Sequence, residues 1–229
     1  MNARIIFDLD GTLIDSAKSL TLVGNKILSK IGRNSITEEK YKTFIGDGLK
    51  KQVERLLLWS GGIPEDGLEK YYLKFLSIYQ SDPVSNLSTF PRAIETIKFL
   101  KEKGACMGIC TQKLREPSMK ILEELKLVND FDQFAFGDTL AVRKPNPEMI
   151  NYIMQNDIDG TPTIYVGDSE VDAKTARNAK IPFILFSEGY RKSSISEIKP
   201  DFWFSDYVNL PEILLNYLGN FDWENILDR

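Results

Sequence analysis

Asp8 and Asp10 stand two residues apart at the end of a short apolar run, Arg4 to Phe7, just where Gly11 lets the chain turn. The run reads as a buried strand. Two carboxylates at its end repel each other and resist burial, so they need a cation, a shared proton or abundant hydrogen bonds. A polar strand end with turn-forming aspartates is the plain alternative. The chemistry therefore depends on what the rest of the chain brings to this turn.

After Asp15 the apolar spacing becomes helical. Ser16 can cap a helix carrying Leu20, Val23, Ile27 and Leu28, with Gly32 at its end. A second helix is expected from Thr37 to Phe44. Gly46-Asp47-Gly48 then breaks the chain before an amphipathic segment with Leu49, Val53, Leu56 and Leu57. Gly61-Gly62 closes that segment and Pro64 opens another, through Tyr71, Tyr72, Phe75 and Leu76. The pattern predicts a helical insertion over residues 16–82, with 1–15 and 83–229 forming the main domain.

From Pro91 onward strands alternate with helices. Expected strands are Ala105 to Cys110, Phe134 to Phe136, Thr163 to Val166 and Phe183 to Phe186, with Phe202-Trp203-Phe204 as an edge. Pro117, Asn146-Pro147, Glu170 and Leu210 mark helix starts. Such alternation predicts an α/β fold, a parallel sheet layered between helices on both faces, with the small helical insertion beside it. Sheets of this kind place their sites beyond the carboxyl ends of the strands. Asp8, Thr111 and Asp168 all fall at such ends.

Composition narrows the chemistry further. The chain has 229 residues, a net charge of −4 and no histidine, which removes imidazole as base, nucleophile or ligand. No arginine-rich run suggests nucleic acid, and no apolar stretch reaches membrane-spanning length. The first strand follows the N-terminus at once, leaving no room for a signal peptide. Cys106 and Cys110 lie on one strand, about 13 Å apart and so too far for a disulfide. A reduced, cytoplasmic protein is expected.

Asp8 and Asp10, Thr111 with Gln112, Lys144, and Asp168 with Asp172 thus converge on one rim. Oxygen-rich, without histidine or paired cysteines, the set suits Mg²⁺. A hydroxyl and an ammonium beside such a metal describe a phosphate site.

In their order, Phe7-Asp8-Leu9-Asp10-Gly11-Thr12, Thr111, Lys144-Pro145 and Gly167-Asp168-Ser169-Glu170-Val171-Asp172 resemble the four motifs of the haloacid dehalogenase-like superfamily, in its phosphatase branch. The insertion resembles that superfamily's small helical cap. Its Thr43 to Leu49 and Val53 to Leu57 stretches are similar to the cap of phosphoglycolate phosphatases. The resemblance implies a three-layer, Rossmann-like core and a Mg²⁺-dependent phosphomonoester hydrolase acting on a small phosphorylated metabolite. Asp8 would be the nucleophile that becomes an aspartyl-phosphate, and Asp10 the general acid and then base. Lys144 would offset charge. Asp8, the Asp10 backbone carbonyl and Asp168 would hold the metal, with Asp172 orienting from behind. Thr111 and the amides following Asp8, at Gly11 and Thr12 among them, would hold phosphate. Gln112, Gly46 and Gly48 would face substrate, although Gly46 to Gly48 also reads as a plain turn.

The same resemblance sorts rivals. Dehalogenases lack the second aspartate, and β-phosphoglucomutases use a cap-hinge histidine absent here. Pyrophosphate or nucleotide monophosphates remain alternative substrates. A phosphoacceptor or receiver-type signalling domain is the non-enzymatic alternative, although such domains are shorter and lack a helical insertion.

Overall fold

The computed structural model describes residues 3–155 and 161–218. In chain order the strands are β1 (Arg4–Phe7), β2 (Ile14–Asp15), β3 (Ser88–Thr89), β4 (Cys106–Cys110), β5 (Gln133–Ala135), β6 (Thr163–Gly167), β7 (Phe183–Phe186) and β8 (Phe202–Phe204). The α-helices are α1 (Ala17–Lys30), α2 (Glu38–Lys42), α3 (Leu49–Trp59), α4 (Leu68–Ser81), α5 (Ala93–Glu102), α6 (Arg115–Glu124), α7 (Glu148–Met154), α8 (Glu170–Ala179), α9 (Ile195–Ile198) and α10 (Leu210–Leu218). Six strands form one parallel sheet in the order β5-β4-β1-β6-β7-β8. The α/β sandwich expected from the sequence is the architecture found.

Side chains alternate across β1 with a period of two. Ile5 and Phe7 join a core under α5, α6 and α10, which contribute Ile97, Ile121 and Leu214. Ile6 faces the other way, into a core with Ile150 of α7 and Ala176 of α8. Both faces are covered, so β1, β6 and β7 are buried at every position.

The sheet order puts β1 between β4 and β6, with Phe7 beside Ile109 and Val166. Each of these three strands therefore delivers its following residues, Asp8, Thr111 and Asp168, to the same end. Asp8 N–H donates to Val166 O (2.9 Å) and Thr111 N–H to Ala135 O (2.9 Å). The ladder thus continues into the site and fixes the backbone that carries its side chains.

Helices α1 to α4 build a further apolar cluster, with Leu20, Leu28, Val53, Leu56 and Phe75 buried together. The chain leaves for them and returns through β2 and β3, paired antiparallel with Ile14 opposite Thr89 and Asp15 opposite Ser88. This two-residue ribbon is too short to register as periodicity, so the sequence pattern missed it.

Three local expectations are corrected. Ser16 stands at the cap position of α1 but makes no side-chain cap bond. Its hydroxyl donates instead to Asp10 Oδ1, and Asp15 Oδ1 accepts from Ala17 N–H (3.0 Å). Pro64 does not open α4, because residues 64–67 turn first, with Gly67 N–H on Pro64 O and Gly67 at φ +84°. Pro117 lies inside the first turn of α6, which starts where Arg115 N–H reaches Asp138 Oδ1 (2.9 Å).

Candidate active site

Asp8 lies at the bottom of the cleft, buried, with its Oδ1 3.0 Å from Lys144 Nζ. That contact is an ion pair without hydrogen-bond geometry, and Oδ1 accepts no hydrogen bond. Burial, opposed by Lys144 and reinforced by Asp172, raises the Asp8 carboxyl to about 7. An oxygen so placed is buried beside a cation yet short of hydrogen-bond donors, a state that suits a metal ligand or nucleophile.

Lys144 is itself buried and reaches this position from the loop before α7. Burial alone would lower its ammonium, but Asp172 and Asp8 together raise it well above the ordinary lysine range. Asp172 Oδ1 lies 2.7 Å from Nζ and also accepts from Tyr165 O–H (2.8 Å). Asp172 Oδ2 accepts from Ser169 N–H (3.1 Å) and Ser169 O–H (2.6 Å) in a capping box at the start of α8. Both oxygens of Asp172 are thus engaged. Asp172 thus lies against Lys144 on the side of α8.

Asp168 is held open toward Asp8. Thr12 O–H donates to its Oδ1 (3.0 Å) and Tyr190 N–H to its Oδ2 (2.6 Å). Burial, then Asp172 and Asp8, push its carboxyl well above the usual range. Gly11 has φ +85°, and a methyl there would overlap Asp168 Oδ2 and the Tyr190 ring. Only glycine permits this approach of the turn to the carboxylate.

Oxygens of Asp8, Asp168 and Asp172 lie within 4.8 Å of one another, the one such acidic group among the described residues. Three buried carboxylates facing a single ammonium leave an excess of negative charge that a hard divalent cation would neutralise. The donor set fits such an ion. With Asp172 already engaged, Asp8 and Asp168 are the carboxylates best placed to hold it.

Asp10 points elsewhere. Its two oxygens each lie 3.0 Å from Lys113 Nζ, and Oδ1 also accepts from Ser16 O–H. The pair Asp8 and Asp10 is therefore divided between two cations, Lys144 and Lys113. Lys113 escaped the sequence reading, although it follows Thr111 by two residues and its side chain is only 5% exposed. Burial would lower its ammonium, yet Asp10 and Tyr79 raise it above the ordinary range.

Thr111 is buried in the cleft and its hydroxyl accepts from Lys113 N–H (3.2 Å), leaving its own proton free to donate. Gln112 Nε2 donates to Lys144 O (3.1 Å) and Gly46 O (3.4 Å), tying the sheet to the loop above it. Gly46 and Gly48 line the cavity, together with Leu20, Leu49 and Tyr79. The loop is thus a wall of the site as well as a turn. Thr12, expected near phosphate, is buried with its hydroxyl on Asp168, so its side chain acts through that carboxylate.

Tyr190 also escaped the sequence reading. Its hydroxyl accepts from Ser16 N–H (2.9 Å) and donates to Asp15 Oδ1 (2.7 Å), while its backbone holds Asp168. A residue of the loop after β7 thus joins the Asp168 carboxylate to the start of α1. Separations of 174 and 175 residues leave no local trace of these bonds.

A parallel sheet with a strand-end aspartate, a buried lysine and an acidic cluster at one rim fits a phosphoryl-transfer site. The profile of the family "Haloacid dehalogenase-like hydrolase" matches residues 5–186, and the chain belongs to that family. It is 36% identical to a phosphoglycolate phosphatase of Rhodobacter capsulatus, over 93% of this chain and 97% of the relative. A phosphoglycolate phosphatase of Cereibacter sphaeroides is 35% identical over 94% of this chain and 99% of its own length. Among solved structures, that of a predicted phosphoglycolate phosphatase from Haemophilus somnus 129pt superposes with a TM-score of 0.86 at 26% identity. It covers 94% of this chain and 99% of its own. The protein is a phosphatase acting on a small phosphorylated substrate. The pyrophosphatase, nucleotidase and signalling-domain alternatives are not favoured.

Proposed function

We propose that this chain is a Mg²⁺-dependent phosphomonoester hydrolase that works through an aspartyl-phosphate on Asp8, with 2-phosphoglycolate as its substrate. The observation that carries the reading is the division of labour between the two aspartates. Asp8 Oδ1 is buried and accepts no hydrogen bond, while Asp10 is turned toward the cavity by Lys113 and Ser16. Asp8 attacks phosphorus, and the bond to the ester oxygen breaks as Asp10 gives that oxygen a proton. Asp10 then takes a proton from water as the water oxygen attacks the aspartyl-phosphate, releasing phosphate and restoring Asp8. Thr111 O–H and the backbone amides at the turn hold the phosphoryl oxygens, and Lys144 offsets the charge of nucleophile and phosphate. Asp8, Asp168 and the Asp10 carbonyl would hold Mg²⁺, which supplies further positive charge against the phosphoryl oxygens when bound.

Residues 16–82 act as the cap, and Gly46, Gly48 and Gln112 contact the bound ester. The cavity offers about 50 Å³ to solvent, room for about three or four waters, which suits a compact metabolite rather than a nucleotide. No helix among the described residues is long and apolar enough to cross a membrane, and Cys106 and Cys110 are free thiols, in keeping with a cytoplasmic location.

Phosphate release from 2-phosphoglycolate, with Mg²⁺ and with EDTA, tests the assignment. Activity is expected to need the metal and to vanish in Asp8→Asn while the circular dichroism spectrum is kept. Turnover by a folded Asp8→Asn protein would exclude Asp8 as nucleophile.

A further inference from the structure

Lys113 is the only cation among the residues lining the cavity. Much of the surrounding wall is apolar, from Leu20, Leu49, Leu76 and Pro117. Tyr79 of α4 covers the ammonium, with its ring centroid 4.7 Å from Nζ. The cation lies over the ring, and among the described residues no group makes a hydrogen bond of regular geometry to the buried Tyr79 hydroxyl. Gln52 of α3 also lines the cavity, buried, its Oε1 accepting from Tyr41 O–H (3.4 Å). A metal and phosphate site does not call for this second polar corner, whose ammonium pairs with Asp10 while Lys144 pairs with Asp8 and Asp172.

We infer that Lys113 receives a carboxylate carried by the leaving alcohol, and that Asp10 holds its ammonium in place for it. The inference rests on the hydrolase reading and names the substrate class of the same site. Distance supports it. Nζ is 3.0 Å from both Asp10 oxygens, and an ester oxygen accepting a proton from Asp10 sits about 3 Å beyond, so it lies at most about 6 Å from Nζ. In a 2-phosphooxy acid the ester oxygen and the carboxylate are separated by about 3 Å, and a charge-assisted bond adds nearly 3 Å more. A two-carbon acid spans the gap, and longer acids overshoot it. The Tyr79 hydroxyl supplies a second donor to the same carboxylate. Binding there lets Nζ share the two carboxylates and frees one Asp10 oxygen for the ester oxygen.

The test compares the full-length protein with Mg²⁺ on 2-phosphoglycolate and on 2-hydroxyethyl phosphate, which has a hydroxymethyl group in place of the carboxylate. The wild-type protein is expected to favour 2-phosphoglycolate by about 100-fold or more in kcat/KM. Lys113→Met should cut that ratio to within about tenfold, Lys113→Arg should restore part of it, and Tyr79→Phe should reduce it about tenfold. Equal turnover of both esters by the wild type overturns the inference and leaves the hydrolase reading standing. Equal losses on both esters in Lys113→Met also overturn it, making Lys113 a positioning residue for Asp10 alone. Failure to hydrolyse either ester would overturn both. Should Lys113→Met not fold, the wild-type ratio and Tyr79→Phe still decide.

Discussion

Asp8→Asn should stabilise the metal-free protein while destroying its activity, because the fold holds the Asp8 carboxylate against its own charge. Burial raises that carboxyl from 3.8 to about 7. The folded state therefore binds more protons than the unfolded chain between those values, and stability falls as pH rises through the window. Each pKa unit is worth about 1.4 kcal/mol, so at pH 7.5 the penalty approaches a ceiling on the order of 4 kcal/mol. Asparagine keeps the shape and removes the ionisation. In a chain of this size about 4 kcal/mol corresponds to roughly 8–16 °C in melting temperature. The assay is thermal unfolding in EDTA, from pH 4 to 8, for wild type and variant. The gap should be wide at pH 7.5, shrink to below about 1 kcal/mol near pH 4, and narrow again when Mg²⁺ is added to the wild type at neutral pH. A variant that melts no higher than wild type at pH 7.5 in EDTA, or a gap that ignores pH, would refute the reasoning.

Asp10→Asn should slow turnover by about 10² to 10⁴-fold, and phosphate should accumulate on the protein because the second step loses its base. Rapid-quench detection of acid-stable phosphoprotein checks this, and unchanged turnover would remove the acid–base assignment. Gly11→Ala forces a methyl into Asp168 and strains a backbone at φ +85°. Weaker Mg²⁺ binding by calorimetry, with a loss of about 1–3 kcal/mol in stability, is the expected result. Tyr190→Phe strands the buried Ser16 N–H and takes a donor from Asp15, at a cost of about 1–3 kcal/mol in urea unfolding. If the variant unfolds like wild type, the clasp between the β7 loop and α1 has no energetic role.

Asp8, Thr111, Lys144 and Asp168 were legible in the chain because each follows a recognisable local signal. For Asp8, Thr111 and Asp168 a short apolar run ends in a polar residue and parallel topology carries those ends to one rim, whereas Lys144 lies on the loop before α7 and was read from the Lys144-Pro145 motif. The four-helix insertion was legible for the same reason, since apolar spacing and glycine breaks are written within each segment. Pro64 misled because proline also opens turns, and Pro117 because proline is accepted within the first helical turn; the actual starts depended on Gly67 and on a distant Asp138. Ser16 misled because its hydroxyl is turned to donate to Asp10 and its oxygen accepts none of the N–H groups at the helix start.

The sequence by itself determined the layered α/β fold, the inserted helices and which carboxylates reach the strand ends. Periodicity and strand-end chemistry are local, and the connection rules of parallel sheets do the rest. The tertiary structure alone decided how the carboxylates are partnered. It gave Asp10 to Lys113, Asp172 to Lys144 and Asp168 to Thr12 and the Tyr190 backbone. Those partners lie on other loops, 22 to 156 residues away. Which loop packs against which depends on how the helices pack on the two sheet faces and over the cleft, and no spacing within the chain encodes it.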